Sequence, residues 1–171
     1  MRYLSFAALT LCVAVAFGTA AYAQQPPAAA APPPPPAYGP PVTLEQAKKA
    51  VAASVTEAKK VAGYQFVFAV VDPAGNLVYF EKMDSAPTSS VDIAIGKAWT
   101  AATFKRPSKA FFDAMETGHS FFGQLHPRVT ASAGGIPLVV DGKIVGAIGV
   151  SGGANGLMDL GAAQVGADAL K

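Results

Sequence analysis

Gly134-Gly-Ile-Pro-Leu-Val-Val-Asp-Gly-Lys-Ile-Val-Gly-Ala-Ile-Gly-Val-Ser-Gly-Gly153 is the stretch that decides how this chain folds. Two apolar runs, 136–140 and 143–150, flank Asp141-Gly142, a pair that readily takes the positive φ of a tight type I′ turn. Runs this continuously apolar do not suit a sheet with one wet face. The hairpin is therefore expected at the centre of a sheet covered on both sides. Gly146 and Gly149 interrupt the second strand, where a missing Cβ lets another backbone or a ligand come close.

Upstream, Thr43 followed by Gln46 fits a capping box. Ala47, Ala50, Val51, Ser54, Val55, Ala58, Val61 and Ala62 then recur at helical spacing as far as Gly63. Residues 65–71 and 77–81 are apolar and aromatic-rich around the turn Asp72-Pro-Ala-Gly-Asn76, which makes a first hairpin. Ser89 and Asp92 are expected to cap a helix through Ile95, Trp99 and Ala102. Pro107 is placed to open a short helix bearing Phe111, Phe112 and Met115. Residues 117–133 show no period and hold both histidines, His119 and His126. After the second hairpin, a turn at 152–156 leads into a last helix, with Asp159 read as its cap. This order lacks repeated strand–helix–strand alternation and predicts an α+β fold: an antiparallel sheet flanked by helices.

The 171 residues are not expected to fold as one unit. Residues 1–23 carry Arg2, an apolar run from Leu4 to Phe17 and small residues ending in Ala21-Tyr22-Ala23. That is the layout of a secretory signal peptide, so a periplasmic or secreted product with no membrane span after cleavage is expected. The single cysteine, Cys12, lies inside it, and Leu11 is too large for a lipoprotein cleavage site. The mature chain should then have no disulfide, thiolate nucleophile or Cys-ligated metal. Residues 24–41 are Pro- and Ala-rich, an extended spacer that serves as a tether or as a ligand for a proline-reading partner. Residues 42–171 form one domain. Without Arg2 the thirteen basic residues fall by one, against eleven acidic ones, and no basic run exists. Nucleic acid is not an expected partner.

Gly149-Val-Ser151-Gly-Gly153 matches a nucleophile elbow, but in that fold the histidine follows the serine, and here both histidines precede it. Ser151 reads as a turn residue. His119 and His126 without a third ligand do not make a structural zinc site, although one imidazole suffices for haem iron. Met115, Phe121, Phe122 and Leu125 around them could cover a flat macrocycle, and Lys105, Arg106 or Arg128 could pair with propionates. Lys97 is the one charge amid the apolar positions of its helix. It is either a snorkelling stem or an ammonium pointing into a ligand or subunit pocket.

Leu44-Glu-Gln-Ala47, Val71-Asp-Pro-Ala-Gly-Asn-Leu77, Met83-Asp84, Ile95-Gly-Lys97-Ala98 and the stretch from Gly134 to Gly152 together resemble the GlcG/HbpS family of haem-binding or haem-degrading domains. The resemblance covers residues 42–171. It implies a profilin-like antiparallel sheet of about five strands with helices on both faces, and assembly into homo-oligomers. Four strands are read from the hairpins, which leaves a fifth to be found between Lys105 and Ala133. Two departures stand out: Lys82-Met-Asp-Ser85 replaces Arg-Met-Asp-Gly, and the acidic cluster after the last hairpin is reduced to Asp159.

The function this implies is secreted haem binding, for carriage, buffering or sensing, with haem breakdown ascribed to some relatives and no catalytic residue assigned. The pocket is expected near 117–133, against Lys97 and the second hairpin. His119 is the expected iron ligand, with His126, Lys97, Phe122 and Arg128 as further cofactor-binding residues. The alternative is a small-metabolite module in which Lys97 holds an organic acid.

Overall fold

Thr43 and Gln46 start the domain as their spacing requires. The Thr43 hydroxyl accepts from the Gln46 amide, and the Gln46 side chain accepts from the Thr43 amide, which opens helix α1 (Leu44–Ala58). In the computed structural model residues 33–171 are described, so the expected signal peptide and the first part of the spacer lie outside the described residues. After α1 come β1 (Val67–Val71), β2 (Leu77–Lys82), α2 (Ser90–Thr103), α3 (Lys109–Glu116) and a 3₁₀ turn (Ser120–Gln124). The chain then forms β3 (Gly135–Val140), β4 (Lys143–Ser151) and α4 (Gly156–Asp168).

The sheet is antiparallel throughout, in the order β2-β1-β4-β3. The second hairpin turns where expected, with φ 48° at Asp141 and 70° at Gly142. It is not wholly central: β4 is an inner strand beside β1, whereas β3 is an edge. Pro137 carries the reason, because a residue with no amide proton is confined to edge strands. A fifth strand between Lys105 and Ala133 is not formed, since that stretch goes into α3 and the 3₁₀ turn. Part of its place is taken from an unexpected source, the end of the proline-rich spacer. Ile144 donates to Ala37 O, Gly39 to Ile144 O and Val42 to Val145 O, covering the half of β4 that β1 leaves open. The Tyr38 hydroxyl donates to the carbonyls of Ala102 and Thr103 at the end of α2, and Lys105 Nζ lies 4.1 Å from its ring centre.

Both faces of the sheet are covered. Phe68 and Val70 of β1 pack with Ile148 and Val150 of β4 under α1 and α4. Val67, Ala69 and Val71 point the other way, onto Ala94, Ala98, Ala101 and Ala102 of α2. The side chains of α2 are small because the helix lies almost on the strand backbone. A Cβ on Gly149 would overlap Ala94 O and Ala98 N, and one on Gly135 would overlap Lys97 O. The expected close approach at Gly149 is therefore made by backbone, not by a ligand.

Two caps differ from expectation. Ser89 makes no side-chain cap bond. For α4 the cap is Asn155, whose Oδ1 accepts from Leu157 N and Met158 N. Ser85 sits at φ 62°, a left-handed conformation that costs a residue with a side chain about 1–2 kcal/mol.

Candidate functional site

The stretch after α2 is held by a chain of rings. Trp99 meets Phe104 edge-on at 6.1 Å between ring centres, Phe104 meets Phe111 at 4.9 Å, and Phe111 meets Phe122 at 5.9 Å. Phe122 in turn lies 4.7 Å from Phe121 and 6.4 Å from His119. Edge-to-face packing of this kind adds directional preference to area burial, and it seats the 3₁₀ turn on α3 without a long hydrophobic run in the sequence. Phe122 is thus a half-buried anchor, and Phe121 is the ring turned outward, 54% exposed.

His119 is exposed at the entry to the 3₁₀ turn. Its Nδ1 lies 3.3 Å from the Thr117 hydroxyl. That hydroxyl has one proton, committed to the carbonyls of Asp113 and Ala114, so it accepts from the ring. With the hydroxyl proton on those carbonyls, the contact is the one an Nδ1–H tautomer makes, in which Nε2 keeps its lone pair. His126 is set up in the opposite sense. Its Nδ1 accepts from the Arg128 amide at 3.1 Å, which puts the neutral ring's proton on Nε2. The His126 ring also stacks on Trp99 at 4.7 Å, and the Arg128 guanidinium lies 4.9 Å from the Trp99 ring centre. His119 is exposed beside Phe121 and Phe122, whereas His126 and Arg128 both lie against Trp99.

Lys97 belongs to neither group. Its ammonium is 1% exposed and donates to Asp159 Oδ2 at 2.7 Å and to Val150 O at 3.1 Å. Burial pushes it below the usual lysine range, and the Asp159 carboxylate pulls it part of the way back. Asp159 Oδ1 accepts from Gly153 N. Asp159 is therefore not the expected cap but the clasp between α2, the end of β4 and α4. Of the two settings expected for Lys97, the snorkelling stem with a solvated head is not seen, and within this chain the ammonium ends in a buried ion pair rather than a ligand pocket. Ser151 ends β4, is buried and shares no hydrogen bond with either histidine, as a turn-and-sheet residue should.

The five residues expected in one pocket are accordingly divided: His119 with Phe122, His126 with Arg128, and Lys97 apart. Among the described residues no group of three or more His, Cys, Asp or Glu could hold a metal ion by itself. Of the rings near His119, Phe121 at 6.3 Å is the exposed one, and Met115 and Leu125, on either side of the 3₁₀ turn in the chain, are 39% and 49% exposed. Thr117 and Trp99 were not singled out in the sequence as parts of a site. Thr117 could have been found as a hydroxyl two residues before a histidine, but nothing local marks Trp99 as a platform.

A separate cleft of about 460 Å³ lies where α3 faces the start of α4, with Phe112 and Leu157 on its walls and Ser132 and Ala133 between them.

The profile of the family described as "Haem degrading protein HbpS-like" matches residues 42–168. The GlcG protein of Escherichia coli K12 is 36% identical over 107 residues, which are 63% of this chain and 78% of GlcG. A double mutant of HbpS from Streptomyces reticuli superposes with a TM-score of 0.71 at 33% identity, covering 84% of this chain and 99% of that one. PduOC, solved as a complex with heme, superposes with a TM-score of 0.69 at 26% identity, covering 77% of this chain and 96% of that one. The fold, the matched span and these relatives agree: the chain belongs to the HbpS-like family, with GlcG and HbpS.

Proposed function

We propose that this is an exported haem-binding protein in which His119 ligates the iron through Nε2. The observation that carries the reading is the Thr117–His119 contact, which leaves Nε2 unprotonated on a surface where Met115, Phe121 and Leu125 are exposed. One neutral imidazole is enough to hold haem iron, and an apolar surface suits the macrocycle's faces. The relatives support it: PduOC was solved with heme bound, and the matched family is described as haem degrading. The iron would supply the coordination and redox chemistry. The chain's own residues fix the imidazole's tautomer and shield the macrocycle from water. Carriage, buffering or sensing is the proposed role. Export is supported by the layout of residues 1–23, and predicts that protein recovered from the periplasm begins at Gln24. Self-association is what the family resemblance implies, and sedimentation reads it.

Hemin titration into the purified protein tests the assignment. A saturable Soret shift is expected in the parent protein and in His126→Ala, and affinity at least about tenfold lower in His119→Ala. No saturable shift, or one that His119→Ala leaves unchanged, overturns it. Loss of the Soret band under a reductant, insensitive to catalase, would add breakdown to the role.

A further inference from the structure

We propose that the cleft between α3 and the start of α4 is a carboxylate-binding site. Its volume, about 460 Å³, falls within the range of small-molecule pockets. Phe112, Ala133 and Leu157 make its apolar walls, and Phe112 and Leu157 are 44% and 65% exposed. Three side chains on its lining have donors to offer. Asn155 spends its Oδ1 on the amides of Leu157 and Met158, so the group it has left is the NH₂. Lys109 gives two protons to the carboxylate oxygens of Asp113, both at 2.7 Å, and keeps a third. The Ser132 carbonyl already accepts from the Ser108 hydroxyl and its amide donates to Thr130 O, which leaves its own hydroxyl to offer. No aspartate or glutamate lines the cleft.

Three side-chain donors, one of them the Lys109 ammonium that Asp113 already pairs, favour an acceptor-only group. A carboxylate has two oxygens and about four lone-pair sites for these donors, and a short alkyl or flat remainder suits Phe112 and Leu157. A cationic ligand finds no carboxylate on that lining. The Lys97–Asp159 pair gives the site its rigidity, because it ties the residue Gly153, just before α4, to the body of the sheet. The carboxylate has two possible sources: a free short-chain carboxylic acid, or a propionate of a haem whose iron is held elsewhere. The site's chemistry does not rest on the iron assignment.

Calorimetric titration of the protein with butyrate, and with butyramide as the uncharged control, tests the proposal. Asn155→Asp is the discriminating variant. It keeps an equally good helix cap, so its melting temperature should match the parent's, while it replaces the NH₂ with a negative charge. Saturable butyrate binding, absent for butyramide and weakened at least about tenfold in Asn155→Asp, supports a site for free carboxylates. A second arm compares hemin with its dimethyl ester. If butyrate does not bind, but Asn155→Asp weakens hemin and leaves the ester unchanged, the propionate is the occupant. If Asn155→Asp changes neither butyrate nor hemin binding, or butyrate binds nowhere and the ester behaves as hemin does, the proposal is overturned. Failure of hemin to bind at all would remove the iron reading while leaving the butyrate arm to decide this one.

Discussion

Lys97 and His119 are the two residues whose chemistry stands out most in this chain, and the fold treats them in opposite ways. Lys97 lies under the sheet with its one ammonium matched to Asp159 and Val150 O, and no water reaches it. His119 stands in the open, with Nδ1 3.3 Å from the Thr117 hydroxyl and the exposed Phe121 ring 6.3 Å away. Buried charge must be fully partnered, so a residue like Lys97 has little left to give a ligand. A ligating group must keep a lone pair, which is affordable only where solvent can occupy it between visits. The group that stands out most by charge is structural, and the stretch that shows least pattern carries the exposed imidazole.

That contrast can be broken by substitution. Asp159→Ala should have the largest effect, roughly 3–5 kcal/mol in urea unfolding, because it strands the Lys97 ammonium in an apolar setting. Lys97→Met combined with Asp159→Leu should recover most of that loss; a double variant as unstable as Asp159→Ala would mean the pair does more than satisfy itself. Gly149→Ala should cost about 1–3 kcal/mol, since its methyl group overlaps the backbone of α2 and the helix must lift. An unchanged midpoint there would show that α2 is not seated as closely as described. His126→Ala should cost about 1 kcal/mol through the lost stack on Trp99, with a change in tryptophan emission. His119→Ala should stay within about 0.5 kcal/mol and leave the emission as it was. Equal stability losses in the two variants would erase the distinction between ligand and clamp.

The smallest effect sharpens the contrast at an exposed site. Asp72 in the β1–β2 turn has its carboxyl held below the usual carboxylate range. Partial burial opposes this, but the hydrogen bonds from the Asn76 side chain and the amides of Asn76, Ala74 and Gly75 together outweigh it. A depressed native value means stability that is present above the unfolded value of about 3.9 and lost as pH falls through the native one. Asp72→Ala should flatten the acid limb of a stability–pH curve slightly. A limb unaffected by the change would assign the acid sensitivity to other carboxylates.

Much of the architecture was legible because it is written in local rules. The capping box at Thr43 and Gln46, the Asp141-Gly142 turn and the glycines of β4 each depend on neighbours in sequence. Pro137 is a local mark of an edge strand that the apolar run around it masks. The role of Asp159 was missed because its partner lies sixty-two positions away, and no short-range pattern separates a capping aspartate from one that meets a lysine across the sheet. The docking of Tyr38 and residues 37–42 onto β4 was equally out of reach, since composition marks that segment only as extended.

The amino-acid sequence by itself determined the α+β class, the order of elements, the family resemblance and the choice of His119 as the first candidate. Periodicity, turn chemistry and helix capping act over a few residues, and those are the quantities a linear chain displays. Only the tertiary structure decided which strand is an edge, that Lys97 is sealed against Asp159, and which histidine keeps Nε2 free. Each of these depends on which groups long-range packing brings within hydrogen-bond distance, and burial then sets what a charge or a lone pair can do.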